Sequence, residues 1–147
     1  ALTTQLIPLA RVITPNIPEA EVLLGNQVLT RQHDLPEAAR ILAERWNVSV
    51  LLKAGHLTED ELEDVLYDNE SKQVVMLPSV RIYTPNTHGT GCTLSSALAS
   101  RLALGDTLVH AVEHAKDYIH NAITAGADYA IGHGHGPVDH FWPYRSV

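Results

Sequence analysis

Asn86 to Ala99 reads NTHGTGCTLSSALA. Gly89 and Gly91 free the backbone to take positive φ and let a ligand approach without a Cβ in the way, so several N–H groups can turn toward one point. The alanine-rich run from Thr93 to Leu104 has helical spacing and stops at Gly105, which places the turn at a helix N-terminus. First-turn amides and the helix dipole favour negative charge. HGTGC therefore reads either as an anion cradle for a phosphoryl group or as a plain turn into a helix. Standard nucleotide motifs do not choose between these. There is no GxxxxGKS/T, and GTGCTL puts Leu94 where a dinucleotide fingerprint needs its third glycine. Cys92 is the chain's only cysteine, and a thiol in a first helical turn has its thiolate favoured by the dipole and by unpaired amides. It is a candidate base or nucleophile, against the ordinary reading of a lone cysteine as a small buried hydrophobe.

Outward from this turn, periodicity and turn residues assign the rest. Arg11 to Thr14 is a short β-branched run stopped by Pro15, and suits a strand. Pro18 to Leu24 has proline at its first position, two glutamates in its opening turn and Gly25 at its end, and reads as a short helix. Leu35 to Trp46 repeats apolar residues on one helical face. Val48 to Lys53 is nearly all apolar at its centre, as expected of a parallel strand covered on both sides. Asp64 to Asp68 and Gln73 to Leu77 flank the polar NESK as a hairpin, and Val80 to Tyr83 is a further candidate strand. Thr107 to Ala125 is a second helix, ended by Gly126. The tail IGHGHGPVDHFWPY is read as an ordered loop. This order predicts an α/β sandwich with a mostly parallel sheet.

With 147 residues, 45% of them hydrophobic, the chain suits one domain. A formal charge of -7 argues against nucleic-acid and anionic-membrane partners, which need a basic face. One cysteine cannot form an internal disulfide, and no apolar run approaches the ~18 residues of a membrane span. The opening ALTTQLIPLARVI lacks the features of a signal peptide, so the expected setting is cytoplasmic. It also lacks an initiator methionine, which suggests that residue 1 is not where translation begins.

Two further groups are candidates for chemistry. Asn16 and Glu19 form NIPE at the C-terminal end of the first strand, where open α/β sheets bind ligands; the same spacing also writes a helix cap. Lys53 ends VSVLLK just before Ala54 and Gly55, where burial would call for an anionic partner, although strand-end lysines also reach solvent. His110 to His114 (HAVEH) matches the H-x-x-E-H pattern of inverted zinc proteases, but no glutamate follows Glu113 to serve as third ligand, so a zinc site is not expected. His133, His135 and His140 read as loop residues.

Taken together, TPNIPEAEVLLG, LLKAGH, NTHGTGCTLSSALA and the GHGPV tail resemble the C-terminal half of hydroxymethylpyrimidine and phosphomethylpyrimidine kinases, thiamine-pathway enzymes of the ribokinase-like superfamily. The resemblance runs through nearly the whole chain in the right order. It implies a ribokinase-like three-layer sandwich, of which residues 1–147 are the C-terminal, nucleotide-binding part, with ATP and Mg²⁺ as cofactors and a small pyrimidine as substrate. By the same resemblance, Asn16 and Glu19 organise Mg²⁺ and phosphate, and Gly89, Thr90 and Gly91 build the anion hole. Cys92 stands where most of the superfamily has a catalytic aspartate. Lys53 and Gly55 approach the nucleotide phosphates, while Ala111, Val112 and Ala115 line the adenine pocket. Family members are nearly twice as long, which implies a missing N-terminal half or an oligomeric partner pairing the open sheet edge. KAGH stands where the family usually has KGGH. A non-catalytic domain that binds nucleotide or a partner, and pyridoxal kinase-like activity, are the alternative readings.

Overall fold

The structure, a computed structural model, describes residues 1–55, 57, 62–79 and 81–144. They form two compact units, Ala1–Val80 and Arg81–Val147.

The first unit is a four-stranded sheet with helices. After two short helical turns over Leu2–Leu6 and Ile7–Leu9 come β1 (Val12–Ile13), α1 (Ile17–Leu23), α2 (Leu35–Trp46), β2 (Ser49–Leu52), β3 (Leu62–Asp68) and β4 (Gln73–Ser79). Pro36 sits in the first turn of α2, and Asn47 closes the helix in the left-handed region at φ 56, returning the chain to Val48. The apolar face of α2 buries Leu35, Ala38, Ala39, Leu42 and Ala43 against β2 and β3. β2 is buried along its whole length.

The sheet order is β1-β2-β3-β4. β1 and β2 are parallel, with Val12 opposite Ser49; β2 is antiparallel to β3, with Leu51 opposite Leu66; β3 is antiparallel to β4, with Val65 opposite Met76. The sheet is therefore mixed and mostly antiparallel, which corrects the mostly parallel sheet expected from the sequence. A parallel return needs a crossover of about a dozen residues, usually a helix. The link from Leu52 to Leu62 is shorter than that, and none of its described residues is helical. The apolar run of β2 reports burial on both faces, which a central antiparallel strand has as well.

The hairpin between β3 and β4 turns through Asn69 to Lys72, the expected NESK. Burial acts to raise the Asp68 carboxyl, but the Ser71 hydroxyl, the Glu70 amide and the Ser49 hydroxyl all donate to it and hold it below the usual carboxylate range. Val80, where a further strand was expected to start, lies outside the described residues, and Arg81 to Tyr83 form no strand.

The second unit is helical. α3 (Thr90–Ala103) and α4 (Leu108–Gly126) pack on each other, and a Gly- and Pro-rich tail ends in a short turn at Trp142–Tyr144. The Thr107 side chain caps α4 by accepting from the His110 amide. Among the described residues, no helix is long and apolar enough to cross a membrane.

Candidate functional site

α3 begins at Thr90, earlier than its apolar pattern suggests, because Gly89 takes φ +87 and serves as the N-cap. The turn is fixed by its own backbone: the Thr90 amide and hydroxyl both donate to the Thr87 carbonyl (3.3 and 2.7 Å), and the Thr93 amide donates to Gly89 (2.9 Å). The helix offers no acceptor to the amides of Gly91 and Cys92, which are left for water or a ligand. A cavity of about 360 Å³ opens over them, lined by Thr87 to Cys92 and His135. Its ionisable lining groups are His88, Cys92 and His135, with no carboxylate among them, and Cys92 is exposed. A small anion fits this chemistry: N–H donors on a fixed turn, the positive end of a fourteen-residue helix and no acid among the lining residues.

His135 reaches this cavity from a distant part of the chain. The tail runs beside Pro85 to His88: the His88 amide donates to Gly136 (3.1 Å), and His135 Nδ1 lies 3.3 Å from the Pro85 carbonyl. Sequence reasoning missed this contact. The available signal was the pair of glycines flanking His135, since an isolated glycine in an ordered segment often marks close backbone approach.

A second cavity, about 730 Å³, lies along α3 and α4 and shares Cys92 with the first. The α4 residues lining it are His114, Asp117, Tyr118 and Asn121. Ala111, Val112 and Ala115 are fully buried and are not among the residues that line either cavity. They are core residues of the chain. His114 is committed elsewhere: its ring, with Arg101, meets the Asp106 carboxylate (3.1 and 2.7 Å) and holds it below the usual range. Among the described residues no group of three His, Cys, Asp or Glu could hold a metal ion.

In the first unit, the parallel β1–β2 pair brings Asn16 and Lys53 side by side at the C-terminal ends of both strands, joined by an isolated bridge and by the Lys53 amide donating to Pro15 (3.0 Å). Asn16 and Glu19 form a full capping box: Asn16 Oδ1 accepts from the Glu19 amide (2.9 Å), and Glu19 Oε2 accepts from the Asn16 amide (2.8 Å). Glu19 Oε1 stays outside the cap, and the half-buried Lys53 makes no ion pair among the described residues. Two oxygen side chains at a strand end suit a hard divalent cation such as Mg²⁺, which keeps several waters or phosphate oxygens in its shell. Gly55 is exposed with open space around it, whereas Ala54 is buried and its amide donates to Asp64 (2.8 Å). His56, the last residue of KAGH, lies outside the described residues.

Residues 1–139 match the family model described as phosphomethylpyrimidine kinase. The hydroxymethylpyrimidine/phosphomethylpyrimidine kinase of Rhizobium meliloti is 43% identical over 141 residues, which are 96% of this chain and 52% of that protein. Among solved structures, the ADP complex of Bacillus subtilis pyridoxal kinase superposes with a TM-score of 0.86 at 38% identity, covering 97% of this chain and 52% of that one. Staphylococcus aureus pyridoxal kinase in complex with AMP-PCP and pyridoxal gives 0.87 at 32% identity, over 98% and 52%. The chain thus spans about half the length of these proteins.

Proposed function

Because the chain belongs to the phosphomethylpyrimidine kinase family, we propose that it carries the phosphate-binding half of an ATP-dependent kinase acting on hydroxymethylpyrimidine and its monophosphate in thiamine biosynthesis. The observation that carries this reading is the open glycine turn with unspent amides at the head of α3, with Cys92 in its first turn. The amides of Gly91 and Cys92 hold the oxygens of the γ-phosphoryl group, where charge builds up during transfer, and Gly89 and Thr90 set the turn that aims them. The Cys92 side chain takes or steers the proton leaving the acceptor hydroxyl. Lys53 places an ammonium, and Gly55 an unobstructed backbone, where the nucleotide phosphates pass. Asn16 and Glu19 would hold Mg²⁺, which when bound neutralises phosphate charge. Ala111, Val112 and Ala115, packed within α4, stand on the adenine side of the site in this reading.

In this reading the whole protein is a cytoplasmic ribokinase-like three-layer sandwich with residues 1–147 as its C-terminal part, and the acceptor pocket is completed by an N-terminal half or a partner chain. A second reading, pyridoxal as acceptor, is favoured by the close superposition on two pyridoxal kinases. The test is reconstitution: the chain is combined, fused or in trans, with an N-terminal half from the family, and ATP consumption is followed with hydroxymethylpyrimidine or pyridoxal as acceptor. Turnover that needs both halves and Cys92 supports the kinase reading, and the preferred acceptor decides between the two. An assembled pair without turnover leaves only a nucleotide- or partner-binding domain.

A further inference from the structure

We propose that Asn86 is the positioning residue of the glycine cradle, acting through Gly136; this rests on the anion-binding reading of that cradle. The turn is closed locally by the Thr87–Thr90 and Gly89–Thr93 bonds, but Gly89 adds no side-chain packing of its own, since a Cβ built there would meet nothing within 4 Å. What holds the Thr87 segment, on which that turn rests, has to come from its neighbours.

Asn86, only 3% exposed, uses both edges of its side-chain amide. Nδ2 faces the carbonyls of Gly126 (2.8 Å), Ala127 (3.1 Å) and Tyr129 (2.8 Å) at the end of α4. All three partners only accept, so this edge carries the NH2 group, and its two hydrogens serve three acceptors. The opposite edge packs on Gly136, where a Cβ would fall 2.0 Å from Oδ1 and 2.7 Å from Cγ. The other side of Gly136 is held as well, since its carbonyl accepts from the His88 amide.

The clamp thus joins the end of α4, the tail and the segment that leads into α3. Its next residue, Thr87, supplies the carbonyl on which Thr90 turns. Displacing Asn86 releases Gly136, then the His88 amide and the Thr87–Thr90 turn, and the amides of Gly91 and Cys92 lose their common aim. The same movement withdraws His135 from the cavity wall.

The experiment reads the cradle through Cys92. Its alkylation by iodoacetamide is followed against rising inorganic phosphate, and the half-protecting concentration is taken for the parent chain, Asn86→Ser, Gly136→Ala and the core control Ile119→Val. Each is measured where its circular dichroism matches the parent. Asn86→Ser and Gly136→Ala are expected to raise the half-protecting concentration about tenfold, the effect of one misdirected charge-assisted hydrogen bond, with Ile119→Val unchanged. A merely structural clamp would lower the unfolding temperature and leave the half-protecting concentration alone. That result overturns the proposal while the anion reading stands. Absence of protection in the parent overturns both. Failure of both clamp variants to fold at any temperature makes Asn86 a folding residue and also overturns the proposal.

Discussion

Replacing Glu19 separates two jobs that share one side chain. In the capping box Glu19 supplies one acceptor, Oε2, to the Asn16 amide, and its amide donates to Asn16. Gln keeps an acceptor at the same reach and preserves the box, so Glu19→Gln removes only the charge near the N-terminus of α1, worth about 0.3–1 kcal/mol at an exposed position. For a domain of this size that shifts the unfolding midpoint by roughly 1–4 °C at most. Asn16→Ala deletes the cap itself and should cost about 1 kcal/mol. The Mg²⁺ role responds differently, because an amide is a poor replacement for a carboxylate at a divalent cation. Glu19→Gln should weaken Mg²⁺-dependent binding of a fluorescent ATP analogue about tenfold, or 1.4 kcal/mol, with Mg²⁺-free binding unchanged. The assay is a nucleotide titration with and without Mg²⁺ beside a thermal melt of the same samples. A lower midpoint in Glu19→Gln with unaltered Mg²⁺ dependence would refute the metal role and leave Glu19 as a helix cap.

Three other outcomes are expected. The chain alone should show essentially no kinase turnover while retaining weak phosphate binding, and addition of a family N-terminal half should restore turnover that Cys92→Ala abolishes, as read by a coupled ATP assay. Leu52→Ala, in a fully buried position of β2, should destabilise the sheet unit by about 2–5 kcal/mol in urea unfolding. The Asp106 carboxyl, held low by His114 and then Arg101, contributes stability above the ordinary carboxylate range that is lost as pH falls through its folded value. Melts of the parent and Asp106→Asn should therefore converge as the buffer is taken from pH ~5 to pH ~3.

Local chemistry made much of this legible. Helix α2 has the bounds that Pro36 and its apolar face imply, and the NESK turn joins two strands because polar loop residues between alternating runs specify a hairpin. Strand direction was not legible, since an apolar run such as that of β2 encodes burial and says nothing of its neighbour's orientation. The head of α3 was found through its glycines, but its start was read at Thr93, because Gly-Thr-Gly looks like loop until Gly89 is seen to act as the cap. The Asn86–Gly136 contact spans fifty residues and leaves no periodic trace. Ala111, Val112 and Ala115 were assigned by resemblance, and the face of α4 that carries them turned out to be the buried one.

Under the proposed kinase reading, the sheet sets where an acceptor pocket is completed. Asn16 and Lys53 need only the β1–β2 pair to stand side by side, and that pair is complete within the first unit. β1 is two residues long and lies at the sheet edge, so its other side offers backbone groups to a further strand. The opposite edge, β4, is blunted by Pro78, which has no N–H to give to a neighbour. Added strands are therefore expected at β1, beside Asn16, and an acceptor pocket built there would be supplied by the chain or partner that provides them. Orientation of an acceptor against a held phosphoryl group accounts for about 7–11 kcal/mol of barrier reduction. In that reading the amides, Lys53 and Glu19, taken without such strands, forfeit that share first, and binding is expected to precede catalysis.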